Sequence, residues 1–161
     1  MKKSILFYLT LLLIPFMALA KDNKNDIISY QIEGTGTTAA QGTYNVKSIV
    51  VTKNNKISDA LIAKCAVHGV LFKGFTNEKA RQMQKPLAGS PMVEQEHAEF
   101  FESFFSDGGS YMAYVQLVSN SRSVVKAGKE YKVSAIVTVA KEQLRKDLEA
   151  KGILKGLSSG F

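Results

Sequence analysis

Cys65 and His68 are the residues whose types and spacing come nearest to a reactive pair. Three residues apart on a helix, a thiol and an imidazole share a face and could bind a metal or act as nucleophile and base. Two ligands do not complete a zinc site, and the sequence holds no second Cys-x-x-Cys or His-x-x-x-His cluster. We therefore interpret Cys65 as a small buried side chain, because burial would disfavour its thiolate.

Glu94 and His97 form a second pair with the same spacing. In di-iron bundles a Glu-x-x-His motif places two ligands on one helix face, but such a site needs a second copy and two further glutamates on other helices. The sequence shows no second copy, so His97 is interpreted as a histidine at the edge of the core. No metal or other cofactor is predicted. A small-ligand site or hydrolase that uses Cys65, His68 and His97 is the alternative.

The predicted helix that contains His97 is rich in carboxylates and phenylalanines. No lysine or arginine interrupts the acidic residues, which argues against docking on anionic lipid and favours a partner with a basic surface. One phenylalanine lies toward the side of the apolar stripe, where a partner could reach it. The possible partner surface consists of Glu94, Glu96, Glu99, Glu102 and Phe105.

The chain has a formal net charge of +7, with 21 Lys and Arg against 14 Asp and Glu. The basic residues are spread along the sequence instead of forming a stripe with interleaved aromatics, so no nucleic-acid partner is predicted. Gly34-x-Gly36 follows a predicted strand, but the third glycine and the following helix of a dinucleotide fingerprint are missing. No complete catalytic motif accompanies these residues.

Residues 1–20 have the features of an export signal. Lys2 and Lys3 precede an apolar run that ends in the cleavage pattern Ala18-Leu19-Ala20. The run contains Pro15 and is shorter than the roughly 20 residues that a membrane-spanning helix needs. We expect cleavage after Ala20, a polar leader at 21–25, and a periplasmic or secreted protein without a stable membrane anchor.

Residues 26–154 are predicted to form one α+β domain, followed by a flexible tail at 155–161. The element order is β-β-α-β-α-β-β-α, assembled as a single mixed or antiparallel sheet with about three helices packed on one face. Ser58 is the predicted cap of the first helix, Gly69 its end, and 76–89 a long surface loop. The predicted strands are Ile27–Glu33, Tyr44–Lys53, Val70–Phe75, Tyr111–Val118, a short piece at Ser123–Lys126, and Tyr131–Val139; the predicted helices begin near Ser58, Ser90 and Lys141.

Three segments carry a resemblance to a known group of proteins: Ser58–Phe75, Lys85–Gly89 and Leu154–Phe161. They resemble an uncharacterised family of small exported bacterial proteins of the Gram-negative envelope. That resemblance implies export but brings no established activity with it. A Gly-x-Gly strand followed by an Ala-rich helix also resembles the strand-helix domains of envelope lipoproteins and flagellar assembly proteins, which implies a scaffolding role.

Export without a complete catalytic set leads to our expected function. We expect a non-catalytic envelope protein, a protein-binding or assembly accessory domain in the periplasm whose partner is another envelope protein. The alternatives are the ligand-binding protein or hydrolase described above and a secreted effector that acts on a host or a neighbouring cell.

Overall fold

A computed structural model describes residues 27–36, 40–77 and 82–156. The predicted export signal, the polar leader at 21–25 and the tail from residue 157 onward lie outside these ranges. Within them, no helix combines the length and the apolar character that crossing a membrane requires.

The described residues form an antiparallel five-stranded sheet, which confirms the predicted α+β class. Its order is β1-β2-β7-β5, and β6 also pairs with β7; β3 and β4 form a separate two-stranded sheet. The strands are β1 Ile27–Gly34, β2 Tyr44–Thr52, β3 Phe75–Asn77, β4 Gln82–Gln84, β5 Val115–Leu117, β6 Ser123–Ala127 and β7 Glu130–Val139. The helices are α1 Asp59–His68, α2 Met92–Glu96, α3 Ala98–Phe104 and α4 Lys141–Ala150, with a π-helical turn at Gly69–Lys73 and a 3-10 turn at Ser110–Tyr114.

The core lies between the valine-rich face of the sheet and α1. β2 and β7 pair over their full length, from Tyr44 opposite Val139 to Thr52 opposite Tyr131. Because side chains alternate along a strand, this register puts Val46 and Val50 of β2 on the same face as Val133, Val137 and Val139 of β7. They belong to one buried cluster with α1 and with Leu144 and Leu148 of α4. The predicted cap of α1 is confirmed, since Ser58 Oγ accepts a hydrogen bond of 3.2 Å from the backbone of the third residue of the helix.

The first α-helix ends at His68, as predicted, but of the strand predicted at Val70–Phe75 only Phe75 is extended. Gly69 has a helical φ of −63°, and the chain continues through the π-helical turn instead of forming the strand predicted at 70–75. The glycine is needed for close packing, because a Cβ at this position would lie 2.7 Å from the side chain of Ile32. Helical backbone ends only at Gly74, whose φ is +70°. A short buried apolar run fits helix and strand equally well, which explains the error.

Of the loop predicted at 76–89, the structure describes 76–77 and 82–89, and these residues contain strand and hydrogen-bonded backbone. Their first part belongs to the β3–β4 hairpin, and their second part is hydrogen-bonded to the π-helical turn. The backbone N–H groups of Leu87 and Ala88 donate to the carbonyls of Val70 and Leu71, each at 3.0 Å. These bonds satisfy carbonyls that a helix end leaves without intrahelical partners.

Two further elements differ from their predicted form. The helix expected from Ser90 onward is broken at His97, whose φ of −120° and ψ of 38° separate α2 from α3. The described part of the chain therefore has four helices where about three were expected. The strand expected at 111–118 begins as the 3-10 turn and becomes extended only in β5.

Candidate functional site

His68 joins three elements through both of its ring nitrogens. It is the last residue of α1, and its Nδ1 lies 2.5 Å from the hydroxyl of Tyr30 on β1. Its Nε2 lies 2.9 Å from a carboxylate oxygen of Glu94 on α2. The side chains of His68 and Glu94 keep 28% and 38% of their surface exposed, so this junction lies at the protein surface.

The direction of the two hydrogen bonds follows from the chemistry of the acceptor. An ionised carboxylate only accepts, so Nε2 of His68 carries a hydrogen and donates to Glu94. In the neutral imidazole Nδ1 is then the acceptor, and the hydroxyl of Tyr30 donates to it. The result is a chain of two hydrogen bonds, in which Tyr30 donates to His68 and His68 donates to Glu94, and neither ring nitrogen is left free.

Aromatic rings enclose the junction. The His68 ring lies 5.0 Å from that of Phe72 and 5.5 Å from that of Phe105, measured between centroids. The ammonium of Lys73 lies 3.7 Å above the ring of Tyr30, a distance at which a cation and an aromatic face attract. Phe105 is buried, which corrects the expectation that a partner could reach it.

The junction lacks an activated nucleophile. Burial raises the pKa of Tyr30 far above its ordinary value, and the neighbouring Cys65 and Glu94 raise it further. Burial also raises the pKa of the Cys65 thiol to about 11, so the thiolate that nucleophilic or metal chemistry needs is disfavoured at neutral pH. The predicted burial of Cys65 is confirmed. In the described ranges, no three or more His, Cys, Asp or Glu side chains are grouped so that they could hold a metal ion.

His97 lies in different surroundings, on the wall of a groove of about 450 Å³. No hydrogen bond or ring contact among the described residues joins it to Cys65 or His68. The three side chains proposed for a small-ligand site or hydrolase therefore share no hydrogen bond or ring contact that includes His97 in the described part of the chain. The groove is lined by Leu87, Ala88, Gly89, Ser90, Met92, Val93, Glu96, His97, Arg145, Gly152, Ile153, Leu154 and Lys155.

The acidic surface predicted on this helix is only partly exposed. Glu96, Glu99 and Glu102 are exposed, as predicted. Glu94 is half-buried and contacts His68, so it leaves that surface. The helix break at His97 accounts for the difference, because α2 and α3 no longer share one continuous face.

Strand β6 is a surface that the sequence did not reveal. All five of its residues are exposed, among them Val124 at 46% and Val125 at 55%. Within the described part of the chain it pairs only with β7, so its other edge is open. Two adjacent valines in a short predicted strand were the available signal, but such a pattern does not distinguish an edge strand from a buried one.

Comparisons of this chain with protein-family models, with curated proteins and with solved structures found no match in any of the three. Function therefore has to be argued from the chemistry of the sites described above, since one fold can host many functions.

Proposed function

We propose that the chain is an exported, non-catalytic binding protein of the bacterial cell envelope, and that its protein partner adds a strand to β6. The observation that carries this proposal is the edge of β6, which is exposed at every residue and which, among the residues that the structure describes, is paired on one side only. An open edge offers unpaired N–H and C=O groups, and exposed apolar side chains beside it offer area to bury. Natural proteins usually protect such edges with charges, and Lys126 is the one charged residue on β6, so this edge is only lightly protected, which favours a binding role.

The free hydrogen-bonding groups of this edge can be assigned. β6 and β7 are joined by the two-residue turn Gly128-Lys129, and Ala127 pairs with Glu130 beside it. In a hairpin with a two-residue loop the flanking residues exchange hydrogen bonds, and the bonded pairs alternate from there along the strand. The N–H groups of Val124 and Lys126 therefore point away from β7, toward the open edge.

The start of β6 is held in place by a side chain just before it. Arg122 contacts the carboxylate of Asp59, and a second guanidinium nitrogen donates to the carbonyl of Ile57 at 2.8 Å. An edge that is fixed before binding loses less conformational entropy when a partner is added.

The charge around β6 indicates the chemistry of the partner. Lys126, Lys129 and Lys132 lie on the hairpin, and Glu130 is its one acidic residue. Because opposite charges steer association and suppress wrong partners, we expect an extended segment with acidic and apolar side chains. The His68 junction agrees with a non-catalytic role, because burial raises the pKa values of both the Tyr30 hydroxyl and the Cys65 thiol and so disfavours their nucleophilic forms.

The test uses two substitutions at the same residue. Lys126→Pro removes an N–H that faces the open edge, whereas Lys126→Ala removes the same charge and keeps that N–H. Immobilised wild-type protein and both variants, each checked for folding by circular dichroism and thermal unfolding, are incubated with envelope extract. We expect one acidic partner to be retained by the wild type, retained more weakly by Lys126→Ala and lost with Lys126→Pro. Equal capture by the two variants, or no capture by the wild type at several salt concentrations, would refute the proposal.

A further inference from the structure

The groove that contains His97 has the composition of a ligand site. Four segments form it: the 87–90 turn, α2, one side chain of α4, and the turn that follows α4. Its volume of about 450 Å³ lies within the range of about 300–1,000 Å³ that is typical of small-molecule pockets. Apolar side chains make up much of the lining, namely Leu87, Ala88, Met92, Val93, Ile153 and Leu154.

The polar side chains of the groove have unused hydrogen-bonding capacity. Arg145 contacts Glu149 through Nε at 2.7 Å, in ion-pair contact without hydrogen-bond geometry. Its two terminal nitrogens have no hydrogen-bond partner among the described residues. The same holds for both ring nitrogens of His97, in contrast to those of His68. Planar guanidinium donors of this kind suit a carboxylate.

Formal charges in and beside the groove balance. Arg145 and Lys155 supply two positive charges, while Glu96 and the neighbouring Glu149 supply two negative ones. A ligand with a large net charge gains little electrostatic binding energy from such a site. A zwitterion with apolar side chains makes favourable electrostatic contacts at both ends, because its carboxylate meets hydrogen-bond donors and its ammonium meets a carboxylate.

We propose that this groove binds a short apolar peptide through its two charged ends. The peptide carboxylate is bound by the terminal nitrogens of Arg145 and by His97, and its ammonium by Glu96. The apolar side chains pack on Val93 and Leu154. At about 30 Å³ for each water, the groove holds about fifteen water-sized groups, which corresponds to a dipeptide.

The ligand side of the test compares chemically matched probes by isothermal titration calorimetry. We expect Leu-Leu to bind, and acetylation of its amine or amidation of its carboxylate to weaken binding about tenfold each, the equivalent of about 1.4 kcal/mol. Gly-Gly keeps both charges and lacks apolar side chains, so it should bind far more weakly. Free leucine should bind more weakly than Leu-Leu, and equal binding of the two would overturn the assignment to a peptide.

The protein side of the test assigns each end of the peptide. Arg145→Gln should weaken Leu-Leu and acetyl-Leu-Leu about tenfold and leave Leu-Leu amide unchanged. Glu96→Gln should weaken Leu-Leu and leave acetyl-Leu-Leu unchanged. Arg122→Gln is the matched control, since this arginine is also ion-paired but lies outside the groove.

Two results would overturn the proposal. One is an absence of any heat of binding for Leu-Leu at about ten millimolar, a concentration well above the dissociation constant of even a weak site. The other is equal binding of Leu-Leu by Arg145→Gln and Arg122→Gln. Arg145→Lys covers the case in which Arg145→Gln does not fold. It keeps the positive charge but lacks the planar fork, so it should bind Leu-Leu more weakly than the Arg122→Gln control, and equal binding by these two variants would also overturn the proposal.

Discussion

The surroundings of His68 and His97 differ in how far the protein uses the polar atoms of each ring. His68 is the last residue of α1 and is bordered by aromatic rings. Its two ring nitrogens are hydrogen-bonded to the Tyr30 hydroxyl and to the Glu94 carboxylate. His97 sits at a break between two short helices and faces a groove, with neither nitrogen bonded among the described residues. A histidine whose hydrogen bonds are complete holds elements together, whereas one with unused donors and acceptors is available to a ligand.

The largest expected effect on stability comes from removing an aromatic side chain that packs beside the His68 region. Phe101 is buried and its ring lies 5.1 Å from that of Phe72, which in turn borders His68. Phe101→Ala should lower the free energy of unfolding by about 3–5 kcal/mol, because it leaves a cavity. The neighbouring Phe100 is only partly buried, so Phe100→Ala should cost about 1–2 kcal/mol. Urea unfolding of both variants measures the difference, and equal losses would contradict the burial of this region.

A direct comparison replaces each histidine in turn. His68→Ala leaves the hydroxyl of Tyr30 and the carboxylate of Glu94 without their partner, and should lower the free energy of unfolding by about 2–3 kcal/mol. His97→Ala breaks no side-chain hydrogen bond among the described residues and should stay within about 0.5 kcal/mol of the wild type. If the two variants unfold at the same urea concentration, the contrast between the two sites has no energetic basis.

The smallest expected effect is a loss of stability at alkaline pH, which is absent near neutral pH. The folded-state pKa values of Tyr30 and Cys65 are raised above their ordinary values of 10.0 and 9.0, mainly by burial. A raised pKa contributes stability that is complete below the unfolded pKa and is lost as the pH rises through the folded one. The contribution of these groups should therefore be constant around pH 7, and the free energy of unfolding should fall above pH 9. There the Cys65 thiol of the unfolded chain loses its proton, whereas the folded chain keeps it up to a pKa of about 11.

Variants at the two sites separate the contributions to this alkaline decline. Tyr30→Phe removes one of the shifted groups and should make the decline shallower, whereas His97→Ala should keep the wild-type slope. Some decline remains in both, since burial and a hydrogen bond to Asp147 raise the pKa of Tyr114 to about 12. Chemical unfolding at intervals between pH 7 and about pH 11 measures these slopes. A steeper decline in Tyr30→Phe than in the wild type would contradict the burial of its hydroxyl.

Local patterns predicted the regular elements of the fold well. A run rich in β-branched residues predicted β2, alternating apolar residues predicted β7, and a serine before a helical pattern predicted the start of α1. The π-helical turn was missed because a short apolar run has no distinguishing period. The break at His97 was missed because neither glycine nor proline marks it in the sequence.

The site was less predictable, because its contacts join distant parts of the chain. Spacing pointed to His68, but its partners come from positions 38 residues before it and 26 residues after it. The sequence pattern predicted Tyr30 only as a strand residue, and it predicted Glu94 as one of several exposed acidic residues. Nothing in the sequence marked Arg145 as a residue that could bind a ligand, since the groove exists only where four separate segments meet.

The burial of Cys65 decides what redox chemistry the folded chain offers to its surroundings. The chain's one cysteine has 6% of its surface exposed and a thiol with a raised pKa. Both properties disfavour attack by oxidants and small disulfides on the folded chain, and we expect disulfide cross-linking of two folded copies to be slow. Reaction of this sulfur with an alkylating reagent requires the domain to open, and the rate of that reaction reports how often it does so.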